Sequence, residues 1–516
     1  MTGSAPSAGP ARPTSRPTTG SRVPLGALVF VTGVATLGSE IAAARLMAPF
    51  FGDSTIIWAN TIGVVLVALS IGYWYGGKLA DRYPQAHALS VLTMVAAALL
   101  GLVPLVAHPF LNLSIDAFDS VSIGAAAGSL FSTLALVALP LLLLGAVSPW
   151  AVRLRVEAVE ESGEVAGRLY AISTFGSLVG TFGASLLLIP AVGTQRTFLL
   201  FALLLALVAA FGLSPRWWAV PVLIAAALAL PVGTTKDADH GRAVRAEAET
   251  LYQYARVVEY PDGSRELELN EGQAVHSRFV PGTVLTDNYW DAFLVEPMAA
   301  LGRPPGSLAV LGTAAGTMVR AYGRYFPRTR IDAVEIDGEL TELGKRWFGL
   351  RERPGLRLIT DDARPWLRQT ERRYDAIFVD AYRQPYIPFH LSTREFFALV
   401  KARLNPGGIV AVNVGHPRGH DELEQVLSRT MEASFAHVAR DPVKDVNTIL
   451  LGSSQPITGA KVRAGTTGLD PVIERIGADA AARIAAPLEG GEVYTDDRAP
   501  VEWLVDKSIV DYAAGE

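Results

Sequence analysis

The sequence predicts a multi-span α-helical membrane domain fused to an α/β domain with a doubly wound sheet, which begins with a small β-hairpin subdomain. Three observations carry this. Apolar runs of bilayer-spanning length fill the first 234 residues. Past residue 307, short apolar strands alternate with helices, the pattern of a parallel sheet covered on both faces. The 516 residues are only 18% charged, against about 25% in soluble chains. That shortfall lies in the first part, so the remainder reads as an ordinary globular domain.

Composition also narrows the chemistry. A net charge of −5 gives no reason to expect nucleic acid as a partner. With no cysteine there are no disulfides, Cys-ligated zinc sites, iron–sulfur clusters or thiol catalysis. The eight histidines show no metal-ligand spacing, so no metal is expected.

Residues 1–23 read as a disordered basic tail, rich in Ser, Thr, Pro and Gly and carrying Arg12, Arg16 and Arg22. The apolar run behind it is long enough to span a bilayer, which argues against a signal peptide. The membrane domain, 24–234, offers seven candidate spans at 24–47, 56–77, 87–107, 124–150, 169–191, 196–213 and 217–233. The last is short and holds Pro221 and Pro231. Lys78, Arg82, Arg153, Arg155 and Arg168 occupy alternate loops, and the loops near Asp53 and Asp116 have no Lys or Arg. Basic loops stay inside, so the N-terminus is expected in the cytoplasm. Glu40 and Arg45 fall within the first span, where charge is costly; they read as a mutually supporting pair or as a substrate or proton site. The stretch 76–82 resembles the loop after helix two of major-facilitator transporters. Gly176, Gly180 and Gly183 form a small-residue face suited to helix packing.

A linker is expected at 235–250 and a β-hairpin subdomain at 251–286, with strands at 251–260 and 265–269 around Pro261-Asp262-Gly263-Ser264. The remaining domain, 287–516, opens with a helix at 287–300. Strands follow at 307–311, 330–334, 356–360, 376–379 and 409–414, with helices at 318–325 and 338–347 between them. In such sheets ligands bind beyond the carboxyl ends of the strands, where Glu335, Asp362 and Asp380 fall. The turn Gly312-Thr313-Ala314-Ala315-Gly316 lets backbone approach a ligand, and the following helix adds a positive dipole. Glu335, 23 residues beyond Gly312, can accept both hydroxyls of a ribose. Asp362, followed by Ala363, can accept from an adenine amino group. An acid at such a place can instead cap a helix, as Asp337 and Asp361 could. Three acids on successive strand ends favour an adenosine site. No Lys or Arg accompanies the turn, which favours an uncharged thioether linker over a pyrophosphate.

These segments (Val310–Gly316, Val334-Glu335-Ile336-Asp337, Asp361-Asp362-Ala363 and Val379-Asp380) resemble the polyamine aminopropyltransferase, or spermidine synthase, family. Leu269-Asn270-Glu271-Gly272, Leu391-Ser392-Thr393-Arg394-Glu395-Phe396-Phe397 and Thr495-Asp496-Asp497-Arg498-Ala499-Pro500-Val501-Glu502 add to the likeness. The helical half, with Gly-Arg-Leu-Tyr at 167–170 and Thr-Phe-Gly-Ser at 174–177, resembles the membrane half fused to such enzymes in many bacteria. The resemblance implies a Rossmann-like fold of the S-adenosylmethionine-dependent transferase type and no permanently bound cofactor. It implies decarboxylated S-adenosylmethionine as co-substrate and an amine such as putrescine as acceptor. It makes Asp380 the proton acceptor, Gly312, Gly316, Glu335, Asp362 and Ala363 the donor site, and Tyr289, Asp291 and Tyr382 candidates for the amine side. The lipid bilayer is the other expected partner, and a homo-oligomer is open, the family often being dimeric or larger.

The sequence departs from the family pattern at Ala315 and Arg383, where acids are expected, at Trp290, where a His is expected, and near Val275 and His276, where a Gln is expected. Arg383 beside Asp380 would repel a diammonium substrate unless it points away. Asp287, Asp291 or Glu502 could compensate. Two alternatives remain open: an S-adenosylmethionine-dependent methyltransferase on the same scaffold, and a transporter or sensor binding polyamine or nucleotide without turnover. A cytosolic nucleotide puts the soluble domain in the cytoplasm. Seven crossings from a cytoplasmic N-terminus would put it outside, so that expectation needs one segment not to cross fully or the count to be off by one.

Overall fold

The structure, a computed structural model, describes residues 24–118, 124–231, 233–238, 241–272, 274–383 and 386–514. The tail at 1–23 lies outside them. Seven helical segments form the first half: α1 Leu25–Phe51, α2 Thr55–Arg82, α3 Ala86–Phe118, α4 Ala126–Arg155, α5 Val159–Val192, α6 Thr194–Ala210 and α7 Pro215–Ala229. Each expected span coincides with one of them. The first five are long and apolar enough to cross a membrane; α6 and α7 are shorter apolar helices.

Glycine sets how closely these helices pack. A Cβ at Gly180 of α5 would lie 2.1 Å from the Val34 carbonyl oxygen of α1, and one at Gly176 would lie 2.3 Å from that of Phe30. Reciprocally, a Cβ at Gly33 would lie 2.2 Å from the Ser173 carbonyl oxygen. The expected small-residue face is therefore a helix–helix seam at two of its three positions. Gly183 departs from it: a Cβ there meets nothing within 4 Å, and the residue opens a π-helical turn at Gly183–Leu188.

The two ends of the bundle differ. At one end Arg153 Nε donates to Asp81 at 2.9 Å, and His87 Nδ1 lies 3.3 Å from the Gly212 carbonyl oxygen. At the other, the soluble half is seated. Arg45 donates to the carbonyls of Thr250 (3.2 Å) and Leu251 (2.6 Å), and Glu249 accepts from the Thr194 N–H at 2.9 Å. His108 approaches Asp237 at 3.6 Å. Gly212 thus lies at the level of His87 and Asp237 at that of His108. These levels are 21 residues apart along α3, or about 32 Å at 1.5 Å per residue, close to the roughly 30 Å of a bilayer core. Arg45 therefore partners the soluble half rather than Glu40. The soluble half sits at the end opposite Lys78, Arg82 and Arg153.

The second half begins with an antiparallel sheet in the order β1-β2-β3-β4, comprising β1 Ala243–Glu249, β2 Tyr254–Glu259, β3 Arg265–Leu269 and β4 Val275–Phe279. β1 occupies the stretch expected as linker; its apolar positions, Val244, Ala246 and Ala248, are too small to signal a strand. The main sheet has seven strands: β5 Ser307–Leu311, β6 Arg330–Glu335, β7 Leu356–Thr360, β8 Tyr374–Val379, β9 Leu404–Gly415, β10 His437–Lys444 and β11 Asn447–Ser453. Their order is β10-β11-β9-β8-β5-β6-β7, with the run from β9 to β7 parallel and β11 and β10 antiparallel. Helices α8 Thr317–Tyr325, α9 Gly338–Trp347, α10 Ala363–Gln369, α11 Arg394–Arg403 and α12 Glu422–Glu432 intervene. The five expected strands are present, and the chain reverses direction across the sheet between β5 and β8. The helix expected at 287–300 is instead a 3-10 turn, Tyr289–Leu294, and a short helix, Met298–Leu301. Pro297 between them has no N–H to continue one helix.

Gly180→Leu should destabilise the full-length protein by more than the 1–3 kcal/mol typical of overpacking, because backbone rather than a mobile side chain blocks the new atoms. Gly183→Leu should leave the melting midpoint of the detergent-purified protein within about a degree of the parent.

Candidate active site

The strand ends converge on a cavity of about 700 Å³ at the reversal between β5 and β8, within the usual size of a small-molecule site. Gly312, Ala314, Glu335, Asp361, Asp362, Ala363, Asp380 and Tyr382 line it. Gly312 has φ +85°, and a Cβ there would lie 2.4 Å from the Asp380 carbonyl oxygen. Only glycine lets the two strand ends approach so closely.

Glu335 holds the turn. Its Oε2 accepts from the N–H groups of Thr313 (3.0 Å) and Ala314 (2.7 Å), and Oε1 accepts from that of Asp337 at 3.2 Å. Ala314 is thereby kept at φ +46°, a left-handed conformation that non-glycine residues seldom adopt. Burial pushes the Glu335 carboxyl upward, and these N–H donors oppose the shift. Gly316, at φ +85°, precedes α8, where a Cβ would meet Leu350 at 2.8 Å.

Among the neighbouring acids, Asp337 caps α9 and accepts from Thr250 Oγ1 at 2.6 Å. The cap of α10 falls on Asp362, not Asp361: Asp362 Oδ1 accepts from the Arg364 N–H at 3.0 Å, and Oδ2 faces His390 Nε2 at 3.8 Å. Phe389, His390 and Leu391 add to the cavity wall on this flank. Asp496 fixes that wall from behind by pairing with both Arg364 amino groups (2.8 and 2.6 Å) and accepting from Thr393 Oγ1, the cap of α11, at 2.7 Å.

Asp380 is the central group. Oδ1 accepts from Asn413 Nδ2 at 2.8 Å, and the Tyr289 hydroxyl lies 3.1 Å from Oδ2. Burial pushes this carboxyl up to about 7; hydrogen bonds from Asn413, Tyr289 and Trp290 limit the rise. Tyr289 is itself buried against Trp290 and Phe293. The Tyr382 hydroxyl is committed to β9, donating to the Asn413 carbonyl at 3.0 Å and accepting from the Gly415 N–H at 2.7 Å.

Three expected site residues, Gly316, Tyr289 and Asp291, lie outside the cavity lining. Asp291 closes the turn before the 3-10 segment, accepting from the N–H groups of Thr286 (3.1 and 3.0 Å) and Asp287 (2.8 Å). Ala315, where the family pattern has an acid, is buried among Val257, Leu340, Leu343 and Phe348 and donates its N–H to Ser277 at 2.9 Å. The sequence reading missed Asn413, a polar residue inside an apolar strand, and missed the contribution of the helical half. Asp53, Thr55 and Trp58 line the cavity, and Arg383 pairs with Asp53 at 2.8 Å. No metal was expected; among the described residues His416, Asp421 and Glu424 cluster, but Glu424 already accepts from Arg440 at 2.9 Å.

Asp291→Ala should cost about 2 kcal/mol by stranding buried N–H groups, lowering the soluble half's thermal midpoint by roughly 4–8 °C.

Residues 297–450 match the family described as Spermine/spermidine synthase domain. A probable polyamine aminopropyl transferase of Bifidobacterium longum is 31% identical over 293 residues, covering 52% of this chain and 64% of that protein. A polyamine aminopropyltransferase of Vibrio vulnificus is 31% identical over 150 residues, covering 28% and 50%. The chain thus spans less than two thirds of the length of these relatives. A crystal structure of a probable spermidine synthase from Corynebacterium glutamicum aligns with a TM-score of 0.38 at 21% identity, over 48% of this chain and 96% of that one. Residues 297–450 are thus similar to a spermine/spermidine synthase domain, and about half of the chain is similar to a probable polyamine aminopropyl transferase.

Proposed function

We propose that the chain is a polyamine aminopropyltransferase that uses decarboxylated S-adenosylmethionine and a di- or polyamine. The observation that carries this reading is Asp380, a buried carboxylate with a pKa near neutrality at the switch point of the sheet, facing a nucleoside-sized cavity. Gly312 and Gly316 admit the donor to the turn, Glu335 meets its ribose, and Asp362 with Ala363 meets its adenine. The acceptor's amine nitrogen uses its lone pair to attack the aminopropyl carbon bonded to the sulfonium. The carbon–sulfur bond breaks, its electron pair stays on sulfur, and methylthioadenosine leaves as a neutral thioether. The surplus proton on nitrogen passes to Asp380. An alkyl ammonium has a pKa near 10, so a base within reach is needed to present the free amine. Tyr289 orients Asp380 from the side, and Tyr382 shapes the wall while its hydroxyl stays on β9. The methyltransferase and sensor alternatives have no observation of their own to favour them.

In this reading residues 24–234 are a membrane domain, and 251–286 together with 287–516 form the catalytic part. Five helices are long and apolar enough to cross a bilayer. What supports an extracytoplasmic catalytic part is the gathering of Lys78, Arg82, Arg153 and Arg155 at the end of the bundle away from it, since basic loops stay inside. This replaces the cytoplasmic placement expected from the ligand alone, and it means the donor has to be delivered to that side. The chain has no cysteine, so single cysteines introduced at Arg82 and at Glu489 can be compared directly. In intact cells a membrane-impermeant maleimide should label the Glu489→Cys variant and spare the Arg82→Cys variant; the opposite pattern restores the cytoplasmic placement.

Full-length protein given donor and a panel of amines should yield methylthioadenosine and an aminopropylated amine by mass spectrometry. Asp380→Asn should lower kcat at least 1,000-fold while donor affinity stays within about threefold. For the parent, kcat/KM should fall about tenfold per pH unit below about 7, where Asp380 becomes protonated. The fold opposes ionisation of this group between its ordinary value of 3.8 and about 7, so stability is lost as pH rises through that window. The Asn variant should accordingly melt higher than the parent at pH 8.

A further inference from the structure

The cavity is not closed by the soluble half alone. The turn between α1 and α2 supplies Asp53, Thr55 and Trp58 to its lining. Arg383, three residues beyond Asp380, also lines it. A guanidinium is always charged, and like charges a few ångströms apart repel strongly. Such a group beside the base would exclude an ammonium substrate. Here it is turned onto the helical half: Nε and Nη2 of Arg383 lie 3.2 and 2.8 Å from Asp53 Oδ2. The Trp58 indole N–H donates to the other oxygen, Oδ1, and so fixes the carboxylate in place. Asp53 is 12% exposed and Arg383 59%, so the pair stands at the cavity wall with its acid sheltered and its base within reach of a ligand.

We infer that Asp53 is a positioning residue of the amine-accepting site, acting through Arg383. It cancels the guanidinium charge and holds it against the helical half, so that an acceptor carrying two or more ammonium groups can enter beside Asp380. The helical half is then part of the catalytic unit and not only its anchor. Specificity for cationic acceptors comes from a residue 330 positions away in sequence, in place of the acid that the family pattern has at 383. This rests on the aminopropyltransferase reading given above.

The test uses the full chain in detergent or nanodiscs, with putrescine and spermidine as probes. Asp53→Asn should raise the amine KM about tenfold or more at saturating donor, with donor KM and kcat within about twofold. The double variant Asp53→Asn with Arg383→Gln should bring the amine KM back to within about threefold of the parent, and Asp53→Glu should retain most of the affinity. Calorimetric binding of the amine in the presence of methylthioadenosine should follow the same order. An amine KM unchanged in Asp53→Asn overturns the inference. So does a rise that Arg383→Gln fails to relieve, since Asp53 would then act directly or only structurally. A parent that forms no aminopropylated product overturns the functional reading instead, and the calorimetric series still decides the role of Asp53.

Discussion

The site depends on one carboxylate bound to backbone. Glu335 accepts from two consecutive N–H groups of the turn after β5 and from a third on its own chain at Asp337. These bonds hold Ala314 in a conformation it would not choose alone, and they tie the turn to the neighbouring strand β6. With the turn fixed, Gly312 can rest against the backbone of Asp380, and the ends of β5, β6 and β8 become one rigid rim. A longer side chain at Gly312 would pry that rim open, and loss of the Glu335 oxygens would release it.

On that rim, burial acts on two acids in the same direction but with different partners. Glu335 is surrounded by backbone donors, and its carboxylate is spent largely on architecture. Asp380 receives side-chain donors, from Asn413, Tyr289 and Trp290, and burial raises it to about 7, where a proton can be taken up or released. The aromatic cluster of Tyr289, Trp290, Phe293 and Phe378 packs behind it. Trp290 stands where the family pattern has a histidine, and it contributes both packing and a donor to the same carboxylate.

How much of this the chain announces depends on whether a residue's partner is near it in sequence. The alternation of apolar strands with helices exposed the parallel core of the sheet, and the acids at successive strand ends marked residues that line the cavity. The β10–β11 hairpin went unread because β10 mixes Arg440, Asp441, Pro442 and Lys444 with its apolar residues, and Asp441 is held inside by Arg483 at 2.6 Å. Asp291 looked like a ligand for amines because it is an acid beside a site tyrosine, yet local N–H groups four and five residues back claim it. The choice between Asp361 and Asp362 as helix cap turns on a one-residue boundary, finer than composition resolves. Asn413 was visible as a polar residue within Val-Ala-Val-Asn-Val, but its target lies on another strand. Asp53 was legible only as an acid in a loop without basic residues; nothing local ties it to position 383.

The contact of Arg45 with the carbonyls of Thr250 and Leu251 has a consequence for biosynthesis. Those partners lie 205 and 206 positions downstream. At the usual 5–20 residues per second the helical bundle waits roughly 10–40 s for them. Through that interval the nascent helices carry a guanidinium at their rim with its native acceptors still unmade. The residues that relieve it follow β1 and precede the main sheet, so docking of the second half can start before that sheet is complete. A chain ending between residues 230 and 250 would leave the bundle with this guanidinium short of both carbonyl acceptors.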